Sequence, residues 1–271
     1  MGLDVYVGSL ARYYAGEWET ILQQSAIAPV RAGSVAGDAA ISEDADLARK
    51  NAEALIRLKE AARKIGAEVI GPGDRPALSD AERRGVQRGV AAWRKRLTKE
   101  LKRKVPRPLD WEEDPRAPYF TDKPGWEGYV SLALWAAYDD HPGLPRPTTV
   151  AEDWTADPAW RGSKAEGLHT RYEQLLRGPE VWLPVDFSFT LDTVDVGGKR
   201  IVVGSSQALL RELRLLNERT WRAEAATLEQ WRQDGPSPRG PLEPNARFGL
   251  SVFLCLCEQS VAHRLPMKLD Y

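Results

Sequence analysis

The chain has 271 residues, of which 42% are hydrophobic and 28% charged, proportions of an ordinary globular domain that exclude general disorder. Its formal net charge of -1 leaves no overall field to draw it to nucleic acid or a membrane surface. The longest uncharged apolar runs, 128–138 and 248–257, fall far short of the ~20 residues that a membrane helix needs, and Cys255 and Cys257 stand too close for an unstrained disulfide; we therefore expect a cytoplasmic setting and a single α+β domain over residues 1–271.

In chain order, Leu3, Val5 and Val7 alternate with Asp4, Tyr6 and Gly8, the period-2 pattern of a half-buried strand. A short helix or turn follows, with a helix from about Glu17. An acidic, Gly/Ala-rich loop is expected at about 28–46, then a helix with Leu47, Ala54, Leu55, Leu58 and Ala62 on one face, stopped by Gly66. Ser79 and Glu82 have capping-box spacing and open a second helix, whose stripe Val86, Val90, Trp93, Leu97 and Leu101 ends before Pro106. Proline then rules out regular structure over about 105–125.

The stretch 125–140 predicts a buried helix closed by Pro142, followed by a Pro/Trp-rich connection at about 141–162 and a further helix over 163–178. An alternating segment, the Gly197-Gly198 turn and an apolar strand at 201–203 predict a hairpin near residues 185–203 that runs into a helix through Gly204, Ser205 and Ser206. Residues 245–264 read as a helix by length, although Leu250, Val252, Leu254 and Leu256 also alternate as in a strand. The fold class is α+β, rich in helix, with a small sheet that includes the N-terminal strand. The ten tryptophans are spread along the chain, as anchors of many segments would be.

Charge patterning is the most conspicuous chemical signal. Eleven Lys or Arg residues lie between Arg83 and Arg107, with Glu100 as the single acid among them. The plain reading is a solvated helix face, since these cations spread around more than one side. The sharper reading is an interaction surface carried by Arg94, Lys95, Lys99, Lys102 and Arg103.

Asp139, Asp140 and His141 end the buried helix. Carboxylates and imidazole are metal ligands, yet consecutive helical residues point ~100° apart and the histidines form no ligand spacing, so we expect no metal and no cofactor. The stretch VVGSSQALL lacks the lysine and the glycines of nucleotide loops; a serine N-cap accounts for it. Asp4, Tyr6 and Tyr13, together with Asp139, Asp140 and His141, form the candidate polar pocket, with hydrogen-bonded packing as its simpler alternative.

MGLDVYVGSLARYY, FTDKPGWEGYVSLALWAAYDDHPGLPRP, LPVDFSFTLDTVDVGGKRIVVGSSQALLREL and SVAHRLPMKLDY together resemble an uncharacterised family of bacterial cytoplasmic proteins beginning MGLDVYVG. The resemblance brings no activity and no functional residues. Since no catalytic motif stands out, the expected function is a non-enzymatic protein-interaction module with an acidic protein partner, of the immunity type that neutralises a bacterial toxin. The alternatives are an enzyme with an acidic or metal-dependent site near Asp139–His141, with His169 contributing, and a nucleic-acid binder using 83–107.

Overall fold

The computed structural model describes residues 2–20, 78–102, 104–105, 109–165, 169–237 and 240–271. The acidic loop at 28–46 and the helix expected over 47–66 lie outside these residues, as does Arg103. The described residues form an α+β fold: a six-stranded mixed sheet with helices on both faces.

Strand β1 (Asp4–Val7) pairs antiparallel with β2 (Phe120–Asp122) on one side and β6 (Met267–Asp270) on the other. β6 also pairs antiparallel with β3 (Val181–Leu183), β3 runs parallel to β5 (Arg200–Ser205), and β4 (Leu191–Val194) closes the far edge antiparallel to β5. The order is thus β2-β1-β6-β3-β5-β4. The alternation in β1 sets its two faces: Leu3, Val5 and Val7 enter the main core, while Asp4 and Tyr6 face the other layer.

Four helices of regular length shape the two layers: α2 (Asp80–Leu101), α3 (Gly125–Asp140), α6 (Ser206–Arg219) and α8 (Leu242–His263). Shorter ones are α1 (Leu10–Ala15), α4 (Pro158–Lys164), α5 (Glu173–Leu176) and α7 (Ala225–Asp234). The face bearing Val5, Trp182, Met267 and Leu269 packs on α3, α6 and α8; Val181, Leu183, Ile201 and Val203 pack on α1 and α2.

Helices α3 and α8 approach through glycines. A Cβ on Gly249 would stand 2.3 Å from the Gly128 carbonyl oxygen, so only glycine admits this spacing. Trp135 of α3 stacks on Trp221 (4.9 Å between centroids), and Trp221 meets Trp231 of α7 edge-on at 5.7 Å, tying three segments with one aromatic ladder.

Local chemistry explains where the sequence expectations hold. The capping box at α2 is complete: Ser79 N–H donates to Glu82 Oε2 (2.7 Å) and Glu82 N–H to Ser79 Oγ (3.4 Å). The hairpin turns through Gly198 (φ 86°), between β4 and β5. Residues 242–263 are helix.

Other expectations are corrected. Residues 17–20 are not helical. Of the helix expected over 163–178, the described residues are helical only at the end of α4 and in the single turn of α5; before α5, Asp140 binds Thr170 and the Arg171 N–H (3.2 Å), and Arg171 and Tyr172 form a turn. The proline-rich stretch contains β2, three residues long at the sheet edge, where prolines can flank a strand without breaking a ladder. The alternating segment forms strand only at Val181–Leu183 and Leu191–Val194; Pro184 stops the first, and Ser205 Oγ donates to Val185 O (2.6 Å) in between.

Candidate binding surface on helix α2

Helix α2 divides by angle. Val90, Trp93, Leu97 and Leu101 are buried against the sheet, and Trp93 Nε1 donates to Val194 O (2.6 Å), fixing the helix over the β4–β5 hairpin. Three arginines beside this stripe are committed to the protein itself. Arg83 Nε meets Glu17 Oε1 at 3.0 Å. Arg94 donates to Leu109 O (3.3 Å), Trp111 O (3.2 Å) and Asp110 Oδ1 (2.5 Å), and lies over the Trp111 ring at 4.6 Å. Arg96 donates to Val194 O (2.6 Å).

The other cations behave differently. Arg84, Arg88, Lys95, Lys99 and Lys102 are exposed, and their side chains make no hydrogen bond or ion pair with any described residue. At about 100° per residue they fall within an arc of about 60°, roughly 160° from the buried stripe, along about 27 Å of helix. Asp80, Glu82 and Glu100 all lie outside that arc. Among the described residues the surface is therefore a row of positive charge without ion-pair partners, on a helix closed at its N-terminus by a complete capping box.

Of the residues expected to interact, Lys95, Lys99 and Lys102 belong to this row. Arg94 does not, because its guanidinium is spent on the 109–111 segment. Arg84 and Arg88 were missed, although their spacing of four, seven and eleven residues to one another and to Lys95 is a helical-face signal readable from sequence.

The six residues of the candidate polar pocket separate into two groups. Asp4 neighbours Leu3, whose carbonyl accepts from Gly125 N (3.2 Å) at the start of α3, while Asp139, Asp140 and His141 lie at its other end, about 21 Å along the helix. Around Asp4 the sheet face is aromatic: the Tyr6 ring contacts Tyr13 (5.4 Å), Trp18 (4.9 Å) and Tyr119 (6.0 Å). Tyr6 OH donates to Ser9 O (3.0 Å), Tyr13 OH to Asp270 (2.6 Å) and Tyr14 OH to Asp195 (3.1 Å), and burial pushes all three phenols up. Lys268, only 6% exposed, lies 4.9 Å from the Tyr13 ring centre; burial pushes its ammonium down. Asp4 Oδ1 is buried without a hydrogen bond, and burial raises its carboxyl.

At the far end of α3 the carboxylates are tied down. Asp139 Oδ2 accepts from Tyr172 OH (2.6 Å) and Arg219 Nε (2.7 Å). Burial opposes its charge, but those two donors outweigh it and hold the carboxyl below its ordinary range. Asp140 accepts from Thr170 and from Arg171 Nε (2.7 Å). His141 caps α3 through its N–H to Ala137 O (3.1 Å), while its buried Nε2 has no hydrogen bond. No group of three or more His, Cys, Asp or Glu among the described residues is placed to hold a metal ion, and none of the described helices is long and apolar enough to cross a membrane.

The serines of VVGSSQALL serve structure. Ser205 Oγ accepts from Ala208 N (3.1 Å) as the α6 N-cap, and Ser260 Oγ donates to Ser206 Oγ (2.7 Å). Sequence reasoning also missed Glu212. Its two oxygens accept from Gln174 N (2.9 Å each), and one also accepts from Leu175 N (3.2 Å), at the start of α5; burial nevertheless pushes the carboxyl up to about 8.

No family model matches the chain, and neither curated proteins nor solved structures provide a similar one.

Proposed function

We propose that the protein is a non-enzymatic interaction module that binds an acidic partner protein through the exposed face of α2. One observation carries this reading: five cations stand in one row on α2, and none of their side chains is paired with a carboxylate of any other described residue. Arg84 with Arg88, and Lys95 with Lys99, are like-charge pairs four residues apart, each costing the free helix about 0.2–0.5 kcal/mol. A partner's carboxylates would relieve that repulsion, and their field would speed encounter. A protein is favoured over nucleic acid because the chain is near neutral, with a pI of about 6.4, and the row carries no aromatic side chain on which a base could stack. An immunity-type role, with a bacterial toxin as the acidic partner, is the form of this reading we favour. A cytoplasmic location accords with the free Cys255 and Cys257.

The test is comparative capture on the immobilised full chain. Wild type should retain an acidic protein that the Lys95→Glu/Lys99→Glu variant loses, with association slowed by added salt and the variant's melting temperature unchanged. Identical capture by both proteins refutes the reading. Retained material that disappears on nuclease treatment, with affinity falling log-linearly in salt, replaces it with nucleic-acid binding.

A further inference from the structure

Lys268 stands where a lysine is least expected, in the middle of β6, opposite Tyr6 of β1 and Val181 of β3. Only 6% of it is exposed, and a lysine so covered is almost always ion-paired. Its ammonium nevertheless makes no hydrogen bond or ion pair with any described residue, and lies 4.9 Å from the centre of the Tyr13 ring. The three carboxylates whose charges reach it are engaged elsewhere. Asp270 accepts from Tyr13 OH (2.6 Å), Asp195 from Tyr14 OH (3.1 Å) and Lys199 N–H (2.8 Å), and Glu180 from Lys199 Nζ (2.7 Å). Lys268 Nζ is not one of the buried side-chain atoms that lack a partner, so the small exposed fraction includes the amine itself.

We propose that Lys268 is a covalent ligand site, whose amine condenses with a small aldehyde or ketone reaching it from solvent. The proposal is independent of the reading of α2. Glu180, Asp195 and Asp270 surround the amine with negative charge, which repels a carboxylate or phosphate but not a neutral carbonyl. Burial holds the ammonium below the ordinary lysine range, so more of the amine is neutral and nucleophilic than on a surface lysine. In the condensation the Nζ lone pair bonds to the carbonyl carbon, both amine hydrogens pass to the carbonyl oxygen, and water leaves; no oxidant or reductant is needed. Loss of water calls for an acid near that oxygen. Asp4 is diagonal to Lys268 across β1 and β6, a separation of about 7–8 Å. Burial raises its carboxyl, and its Oδ1 has no hydrogen bond, so it can pass a proton toward the oxygen through one water.

The intact protein, incubated at about pH 7 with acetaldehyde and cyanoborohydride, tests this, because the reductant fixes each imine as an ethylated lysine that peptide mass spectrometry locates. Lys268 should be labelled roughly tenfold faster than the exposed Lys95 and Lys99, and its rate should level off at a lower pH than theirs. Pyridoxal phosphate, bulky and anionic, should label those surface lysines and spare Lys268. Labelling of Lys268 no faster than that of Lys95, labelling only in urea, or a pH profile that follows the surface lysines overturns the proposal. Asp4→Asn should slow labelling at Lys268 and leave Lys95 unchanged; an equal rate removes Asp4 from the step. The wild-type rates decide the proposal whether or not that variant folds.

Discussion

Replacing Gly249 with alanine and Gly85 with alanine introduces the same methyl group into two helix interiors, with opposite expected signs. In each case intrinsic helix propensity favours alanine by about 0.8–1.0 kcal/mol. At Gly85 the new Cβ meets nothing within 4 Å, so that gain should appear nearly whole. At Gly249 the Cβ would lie 2.3 Å from the Gly128 carbonyl oxygen and 2.9 Å from its carbon, and both obstacles are backbone. An ordinary carbon–oxygen contact is about 3.3 Å or more, so α3 and α8 must separate by about 1 Å along their closest line. A gap of that size forfeits about a quarter to a half of each dispersion contact along the seam, and overpacking of this kind costs about 1–3 kcal/mol, or more where backbone must move. Net of propensity, Gly249→Ala should lose about 1 kcal/mol or more and Gly85→Ala should gain about 1 kcal/mol. Urea unfolding of the three proteins measures both. A Gly249→Ala protein within about 0.5 kcal/mol of wild type, or a Gly85→Ala protein less stable than it, refutes the argument.

Two further outcomes concern carboxylates. Asp139, whose carboxyl sits below its ordinary 3.8, contributes stability present above that value and lost as the pH falls through the lower folded value. Asp139→Asn should therefore flatten the acid limb of a stability–pH curve, and Asp139→Ala should cost about 1–3 kcal/mol at neutral pH, because the fully buried Tyr172 loses its acceptor; an unchanged acid limb in the asparagine variant would count against the assignment. Glu212 has the opposite sign: raised from 4.5 to about 8, it contributes fully below 4.5 and loses that contribution as the pH rises through about 8. Unfolding free energies between about pH 5 and 9 should fall less steeply for Glu212→Gln than for wild type, and parallel slopes would show that burial does not govern this group.

What could be read beforehand was mostly local. The Ser79 capping box, the apolar stripe of α2, the Gly197-Gly198 turn and the length of α8 are each encoded within a few residues of where they act. Tyr6, Tyr13 and Trp18 meet in the fold, whereas Asp139, Asp140 and His141 stand at the other end of α3. Strands β2 and β6 escaped notice because proline surrounds one, while the other carries Lys268, a residue that reads as solvent-facing until the ring of Tyr13 covers it. The partners of Asp139 could not be read from sequence, because Tyr172 and Arg219 stand 33 and 80 residues away. The basic row was visible as charge; separating Arg94 and Arg96 from it required the carbonyls of Trp111 and Val194, which only the tertiary fold brings near.

The position of β6 has a consequence for how the protein is made. Met267–Asp270 lies between β1 and β3, the one strand joining the pair β2-β1 to the trio β3-β5-β4. Without residues 267–270 the remaining strands would fall into two groups, β2-β1 and β3-β5-β4, each with an open edge at the gap that β6 fills. Those edges are templates for pairing with a neighbouring nascent chain. Closing the gap joins residues more than 250 positions apart, a contact order that slows the last step of folding.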